Sequence, residues 1–479
     1  MTERITLGVP NLDQILGGGL PAYSLVLISG NPGSGKTILS NQIVYQLATP
    51  ERRGLIITTV SEPLSRLLRY TQEFKFFDPN KVGESIIYED IGPHLLGANG
   101  ENAWDKIEEL ILKNQPAFLV IDSIRAIHDL SVSPAVTRRG FFRLASLLST
   151  LPCTAFLIGE YDGDEYAPTV EASIADVILH LEYRPVGLGS RRIIKVLKVR
   201  GSDFLAGEHT FKINSDGITV FPRFTTPAKP LVYKPVTQRA LVGIPGFDDV
   251  LFPGGILRGT TTLVAGDPGV GKTVTALHFL LNGGRQGEAG VYVSFQEDPN
   301  QFATIANNFG YDLEKMIRDK QLILLYNSPV EIDIDEMALK IIAAIQNIQA
   351  KRLVVDSLSD LASGARGDPD RFYNFVYAFV QWLKDRTVTA MLTNEMGQLF
   401  ANELTLTGRG VSHIADNLLL LRYTELEGEI RRALTILACR GSDHSKKVYE
   451  YLISEKEGPR LGSPLSSAFT LFRPTTIQE

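Results

Sequence analysis

One pattern constrains this chain more than any other. Gly30-Asn31-Pro32-Gly33-Ser34-Gly35-Lys36-Thr37 returns as Gly266-Asp267-Pro268-Gly269-Val270-Gly271-Lys272-Thr273. Each copy reads glycine, four residues, then Gly-Lys-Thr, the phosphate-loop pattern. The residue types follow from the ligand. A triphosphate needs several backbone N–H donors converging on it, and glycines let the backbone curl that tightly. A helix N-terminus adds partial positive charge. The lysine neutralises the β- and γ-phosphates, and the threonine hydroxyl ligates Mg²⁺. A glycine-rich turn that merely precedes Lys-Thr is the plainer alternative. Two copies in matched contexts argue against it.

The repeat extends beyond the loops. Leu7-Gly8-Val9-Pro10-Asn11-Leu12-Asp13 pairs with Val242-Gly243-Ile244-Pro245-Gly246-Phe247-Asp248, and Gly17-Gly18-Gly19-Leu20 with Pro253-Gly254-Gly255-Ile256. The offset is 235 residues at Gly8/Gly243 and 236 at Gly30/Gly266. A whole domain is therefore duplicated in tandem, rather than a short unit repeated as in a solenoid.

Within each copy the pattern is strand, loop, helix, strand. Apolar runs lead into the loops, and Ile38–Leu47 has helical spacing. Leu119-Val120-Ile121-Asp122 and Leu353-Val354-Val355-Asp356 are short apolar runs that end in an acid. Near-continuous apolar strands separated by helices indicate a parallel sheet covered on both faces. The fold class is α/β: two tandem P-loop domains, each a mostly parallel central sheet flanked by helices. The expected boundaries are 1–225 for the first domain, 226–240 for a proline-rich linker, 241–456 for the second domain and 457–479 for a weakly patterned tail.

Composition narrows the partners. A chain of 479 residues is too long for one ordinary core. The formal net charge of −6 argues against a chain-wide basic surface, so nucleic acid is an unlikely partner. Cys153 and Cys439 lie one in each half, in no metal-type spacing. No apolar run approaches the length of a membrane span and the N-terminus has no apolar leader, so no membrane is expected and the cytoplasm is the default compartment.

Beyond the loops, several residues carry chemistry. Asp122 and Asp356 end buried strands, where an acid can hold the Mg²⁺ shell; the alternative is an aspartate capping the next turn. Glu62 and Glu297 lie just past the strand after the phosphate-loop helix, where a carboxylate could orient or deprotonate water; the alternative is a solvated glutamate before Pro63 or Pro299. Lys198-Val199-Arg200-Gly201-Ser202 and Ala438-Cys439-Arg440-Gly441-Ser442 form another matched pair. Lysine and arginine two apart on a strand share a face, and arginine suits bidentate phosphate contact, so the pair could reach a neighbouring subunit's nucleotide. A surface charge pair is the plain alternative.

With these residues in view the chain resembles the KaiC family of two-domain RecA-like ATPases of the circadian clock. The resemblance rests on the tandem loops, the Gly-Ile-Pro-Gly-Phe-Asp-type lead-in, the Lys-x-Arg-Gly-Ser strand and, above all, Gly410-Val411-Ser412-His413-Ile414-Ala415-Asp416-Asn417. It implies a homohexamer of stacked double rings with ATP and Mg²⁺ at subunit interfaces. It also implies hydrolysis in the first layer, autophosphorylation in the second, and KaiB-like or other regulatory proteins as partners. By the same resemblance Lys36, Thr37, Lys272 and Thr273 match nucleotide and Mg²⁺ ligands. Lys198 and Arg200 match a trans-acting basic pair, Arg440 the second domain's arginine, and Ser412 a phosphoacceptor.

Three departures stand out. The family's adjacent glutamates are Ser61-Glu62 and Gln296-Glu297 here, its Ser-Thr phosphoacceptors are Ser412-His413, and Ala438 stands where the second domain would carry lysine. These changes point to a homologue outside the standard clock. Two other classes share the core: a RecA/RadA-type DNA-dependent ATPase, and a scaffold that ATP holds together with little turnover.

Overall fold

The computed structural model describes residues 3–59, 64–96, 101–131, 133–161, 169–186, 189–226, 236–328, 332–365, 368–396, 414–426, 428–454 and 457–465. The chain divides into two compact units, Met1–Arg223 and Phe224–Glu479. Each is built on a nine-stranded sheet.

In the first unit the strands lie in the order Gly217–Phe221, His209–Asn214, Gly189–Val199, Val177–Val186, Leu25–Gly30, Thr154–Glu160, Phe118–Asp122, Gly54–Thr58, Ile86–Asp90. Leu25–Gly30 is parallel to both neighbours, and every pairing from there to Ile86–Asp90 is parallel. The other end continues as an antiparallel meander. The second unit repeats this order with Thr261–Gly266 in the central place. Among the described residues no helix is long and apolar enough to cross a membrane.

The strands are apolar throughout because both faces are covered. Side chains alternate across a strand, so Val26 and Ile28 join the cluster that holds Ile43 of the helix Lys36–Leu47. Leu25 and Leu27 face the other way, against Ile107 of the helix Glu101–Asn114 and Phe141 of the helix Pro134–Leu148. In the second unit Val264 and Tyr292 lie with the helix Lys272–Arg285, and Leu263 and Val293 with the helices Ile334–Ile348 and Pro369–Asp385. Phe156 is fully buried at the centre of the first sheet, and truncating such a side chain to alanine costs about 3–5 kcal/mol.

One contact at the sheet end differs between the copies. Gln42, on the phosphate-loop helix, accepts from Ile218 N at 2.7 Å and donates to Ile218 O at 3.3 Å. The matching residues in the second unit are His278 and Pro459. His278 is buried against Phe309 and Tyr311, and neither ring nitrogen has a hydrogen-bond partner among the described residues.

The C-terminal stretch departs from expectation. Gly458–Pro464 is not part of a tail; it is the edge strand of the second sheet, antiparallel to Tyr449–Ser454. Gly458 takes φ 71°, matching Gly217 at 106° in the first unit. A glycine in that conformation starts the return strand of the hairpin. An edge strand rich in Gly, Pro and Ser carries little apolar alternation, which is why it reads as a tail.

Candidate functional site

Both loops leave the carboxyl end of the central strand and enter a helix at the lysine. Gly30 and Gly266 are required by close approach. A Cβ at Gly30 would lie 1.9 Å from Leu181 O, and one at Gly266 would lie 2.3 Å from Leu421 O. Gly35 and Gly271 take φ 105° and 109°, the left-handed region that turns the loop into the helix. Successive N–H groups in such a turn form an anion-binding concavity.

The lysines are buried, at 5% and 6% exposure, and fold onto their own loops. Lys36 Nζ donates to Gly30 O and Asn31 O, both at 2.9 Å. Lys272 Nζ donates to Gly266 O at 3.1 Å and Asp267 O at 2.8 Å. Burial pushes the Lys272 ammonium below its ordinary range, against the opposing pull of Glu395, Asp356 and Asp267.

Thr37 Oγ1 donates to Asp122 Oδ2 at 2.6 Å, and Thr273 Oγ1 to Asp356 Oδ2 at 2.7 Å. Residues more than eighty positions apart thus meet as a hydroxyl–carboxylate pair, twice. The turn-cap alternative fails for Asp356, because the helix Leu358–Ala362 is capped by the Ser357 hydroxyl instead. Hard oxygen donors beside a phosphate-shaped loop fit Mg²⁺ and a nucleotide triphosphate.

Glu297 is half-buried near this pair. Burial first, then the charges of Asp356, Asp360 and Glu395, push its carboxyl above the ordinary range, the direction a general base needs. Its neighbour Gln296 donates through Nε2 to Asp360 Oδ2 at 3.0 Å. Glu62, Ser61, Ser412 and His413 lie outside the described residues.

Lys198 and Arg200 lie away from their own loop. Val199 pairs with Val177, which lies beside Val26 near the start of the central strand, whereas the loop follows Gly30 at its end. Lys198 is the last residue but one of the strand Gly189–Val199, and Arg200 sits in the turn beyond it rather than two apart on one strand face. A register shift between Ile178 and Leu179 breaks the regular pleat there. Lys198 Nζ donates to Ala172 O at 3.3 Å and Ser173 O at 3.5 Å, and Arg200 pairs with Asp176 at 2.9 Å. Burial first, then Arg200, lowers the Lys198 pKa. In the second unit Arg440 N donates to Asp416 O at 2.8 Å, and Lys384 makes the ion pair with Asp416 at 2.7 Å.

Two pairs of residues escaped the sequence reading. Glu160 and Glu395 end the strand beside each loop, in register with Gly30 and Gly266, and Glu395 lies 4.0 Å from Lys272 Nζ. Their signal was available, an acid repeated at the same offset. Tyr183 and Tyr423 anchor the loops' second residues. Tyr183 N donates to Asn31 Oδ1 and Tyr423 N to Asp267 Oδ2, each at 3.1 Å. Arg192 stacks over Tyr183 at 4.7 Å and donates to Gly33 O at 2.6 Å.

Fold and site together define a tandem RecA-like P-loop protein of the ATPase class. A family model described as "ATPase: KaiC" matches residues 5–224 and again 240–464. The circadian clock oscillator protein KaiC of Picosynechococcus sp. is 30% identical over 465 residues, covering 95% of this chain and 88% of the relative. Circadian clock oscillator protein KaiC 1 of Synechocystis sp. is 30% identical over 469 residues, with 95% and 88% covered. The chain belongs to the KaiC ATPase family.

Proposed function

We propose that this protein binds ATP and Mg²⁺ at both loops of a homohexameric ring and hydrolyses ATP chiefly at the first. The observation that carries the reading is the placement of Lys198 and Arg200 at the opposite end of the strands from their own loop. Basic residues so placed serve a nucleotide held by the next subunit, in the manner of an arginine finger. Lys36 and the loop amides hold the phosphates, and Glu62 or Glu297 orients the attacking water. Mg²⁺ held by Thr37 with Asp122, or Thr273 with Asp356, supplies charge neutralisation.

The second site takes the regulatory part, with Ser412 as serine phosphoacceptor. The departures at Ser61, Gln296, His413 and Ala438 set the protein outside the standard clock, in regulation or signalling with KaiB-like or other protein partners. A second reading, an ATP-gated scaffold, is favoured by Gln296, whose amide is occupied by Asp360 and cannot take a proton from water.

Subunit mixing tests the ring. In a Lys272→Ala background, Lys36→Ala and Arg200→Ala chains should each lose turnover, and co-assembly should restore part of it. No recovery on mixing, with rings of normal size, would mean that Arg200 acts within its own subunit or not at all.

A further inference from the structure

The first domain contains a cluster that neither the loops nor the basic pair explains. Tyr161 follows Glu160 at the end of the strand beside the phosphate loop, and its backbone N–H donates to Gly30 O at 3.3 Å. Its hydroxyl donates to Glu171 Oε1. His128 Nε2 lies 3.1 Å from the same oxygen. His128 belongs to the helix Ile124–Asp129, which begins two residues after Asp122.

Glu171 is fully buried. Burial alone would push its carboxyl up, but hydrogen bonds from His128 and Tyr161 hold it below the ordinary range. A buried carboxylate tied to two elements fixes the backbone that carries it. That backbone is the short helix Val170–Ile174. Its carbonyls at Ala172 and Ser173 receive Lys198 Nζ, and Asp176, two residues beyond the helix, pairs with Arg200. The contacts therefore run without a break from the loop's first residue to the basic pair at the far end of the strands.

We infer that Tyr161, Glu171 and His128 form a positioning bracket that sets Lys198 and Arg200 relative to the phosphate loop of the same domain. The inference rests on the trans-acting reading above. In a ring it ties the site a subunit holds to the site it completes, so occupancy of one alters the geometry of the next. The second domain lacks the device. Met396 replaces Tyr161, keeping only the backbone bond to Gly266 O at 3.1 Å, and Ala362 stands at the place of His128.

A double-mutant cycle on the full-length ring tests this, in a Lys272→Ala background so that turnover reports the first site. Tyr161→Phe preserves shape and removes only the hydroxyl, and Glu171→Gln serves as a second variant should the first fail to assemble. Either should lower kcat roughly tenfold, the scale of a hydrogen bond to a charged acceptor, with KM and equilibrium ATP binding within about twofold. The loss should vanish in a Lys198→Ala/Arg200→Ala chain, because the bracket then has nothing to place. Full additivity of the two losses would overturn the bracket while leaving the trans-acting pair intact. If Lys198→Ala/Arg200→Ala alone left turnover unchanged, the trans-acting reading would fail and the bracket with it.

Discussion

The two magnesium-type aspartates occupy the same place in their domains but keep different company. Asp356 receives three hydroxyls, from Thr273 at 2.7 Å, from Tyr292 at 2.7 Å and from Thr393. Asp122 receives Thr37, and the sheet positions matching Tyr292 and Thr393 are Ile56 and Ile158, which offer no hydroxyl. The loops were duplicated faithfully while the carboxylate's surroundings diverged. A carboxylate that takes hydroxyls at both of those sheet positions has less charge to lend a metal than one that meets isoleucines there. The difference supports hydrolysis at the first site and a slower, regulatory role at the second.

The largest test of that asymmetry is removal of each lysine. Lys36→Ala should cut steady-state ATP turnover by about tenfold or more, and Lys272→Ala by less than about threefold, both read as phosphate release. Equal losses would dissolve the distinction between the sites.

A second test uses pH. Burial, with Arg285 adding to it, pushes the His278 imidazole down to about 4. The unfolded chain takes up that proton near pH 6.5, so the contribution is complete above 6.5 and is lost as pH falls through about 4. The second domain should lose on the order of 3 kcal/mol over that window. Denaturant titrations should show the loss, and His278→Gln should flatten it. A slope that survives the substitution would place the proton elsewhere.

The smallest effect concerns Tyr292. Tyr292→Phe removes one donor to Asp356 and should destabilise the second domain by about 1.5 kcal/mol while leaving the first domain's transition in place. A neutral result would mean that Thr273 and Thr393 satisfy Asp356 unaided.

Much of this was legible in the chain. The loops, the terminal aspartates and the alternation of strand and helix are local patterns, and the duplication doubled their signal. The hydroxyls around Asp356 were not legible. Tyr292 sits in Gly290–Ser294 as one more apolar strand residue, and Thr393 as one more β-former, until the sheet brings strands 64 and 37 residues apart to one carboxylate. The strand Gly458–Pro464 was hidden for the opposite reason: an edge strand exposes much of its surface and needs no apolar stripe. Glu160 and Glu395 were visible as a repeated acid, but only the parallel register with Gly30 and Gly266 gives that repetition meaning.

The Gln42–Ile218 contact has a consequence for how such domains can be recombined. Pro459 has no N–H to offer, so a glutamine at 278 would find only half of its partner, and a histidine at 42 could serve the Ile218 N–H or its carbonyl but not both, because its donor and acceptor nitrogens point apart. The phosphate-loop helix and the closing strand have therefore been inherited as a matched set, although some 180 residues of chain separate them. A chimera that exchanges the loop and helix between the two halves must carry the distant strand along, because the unit of exchange is spatial rather than sequential.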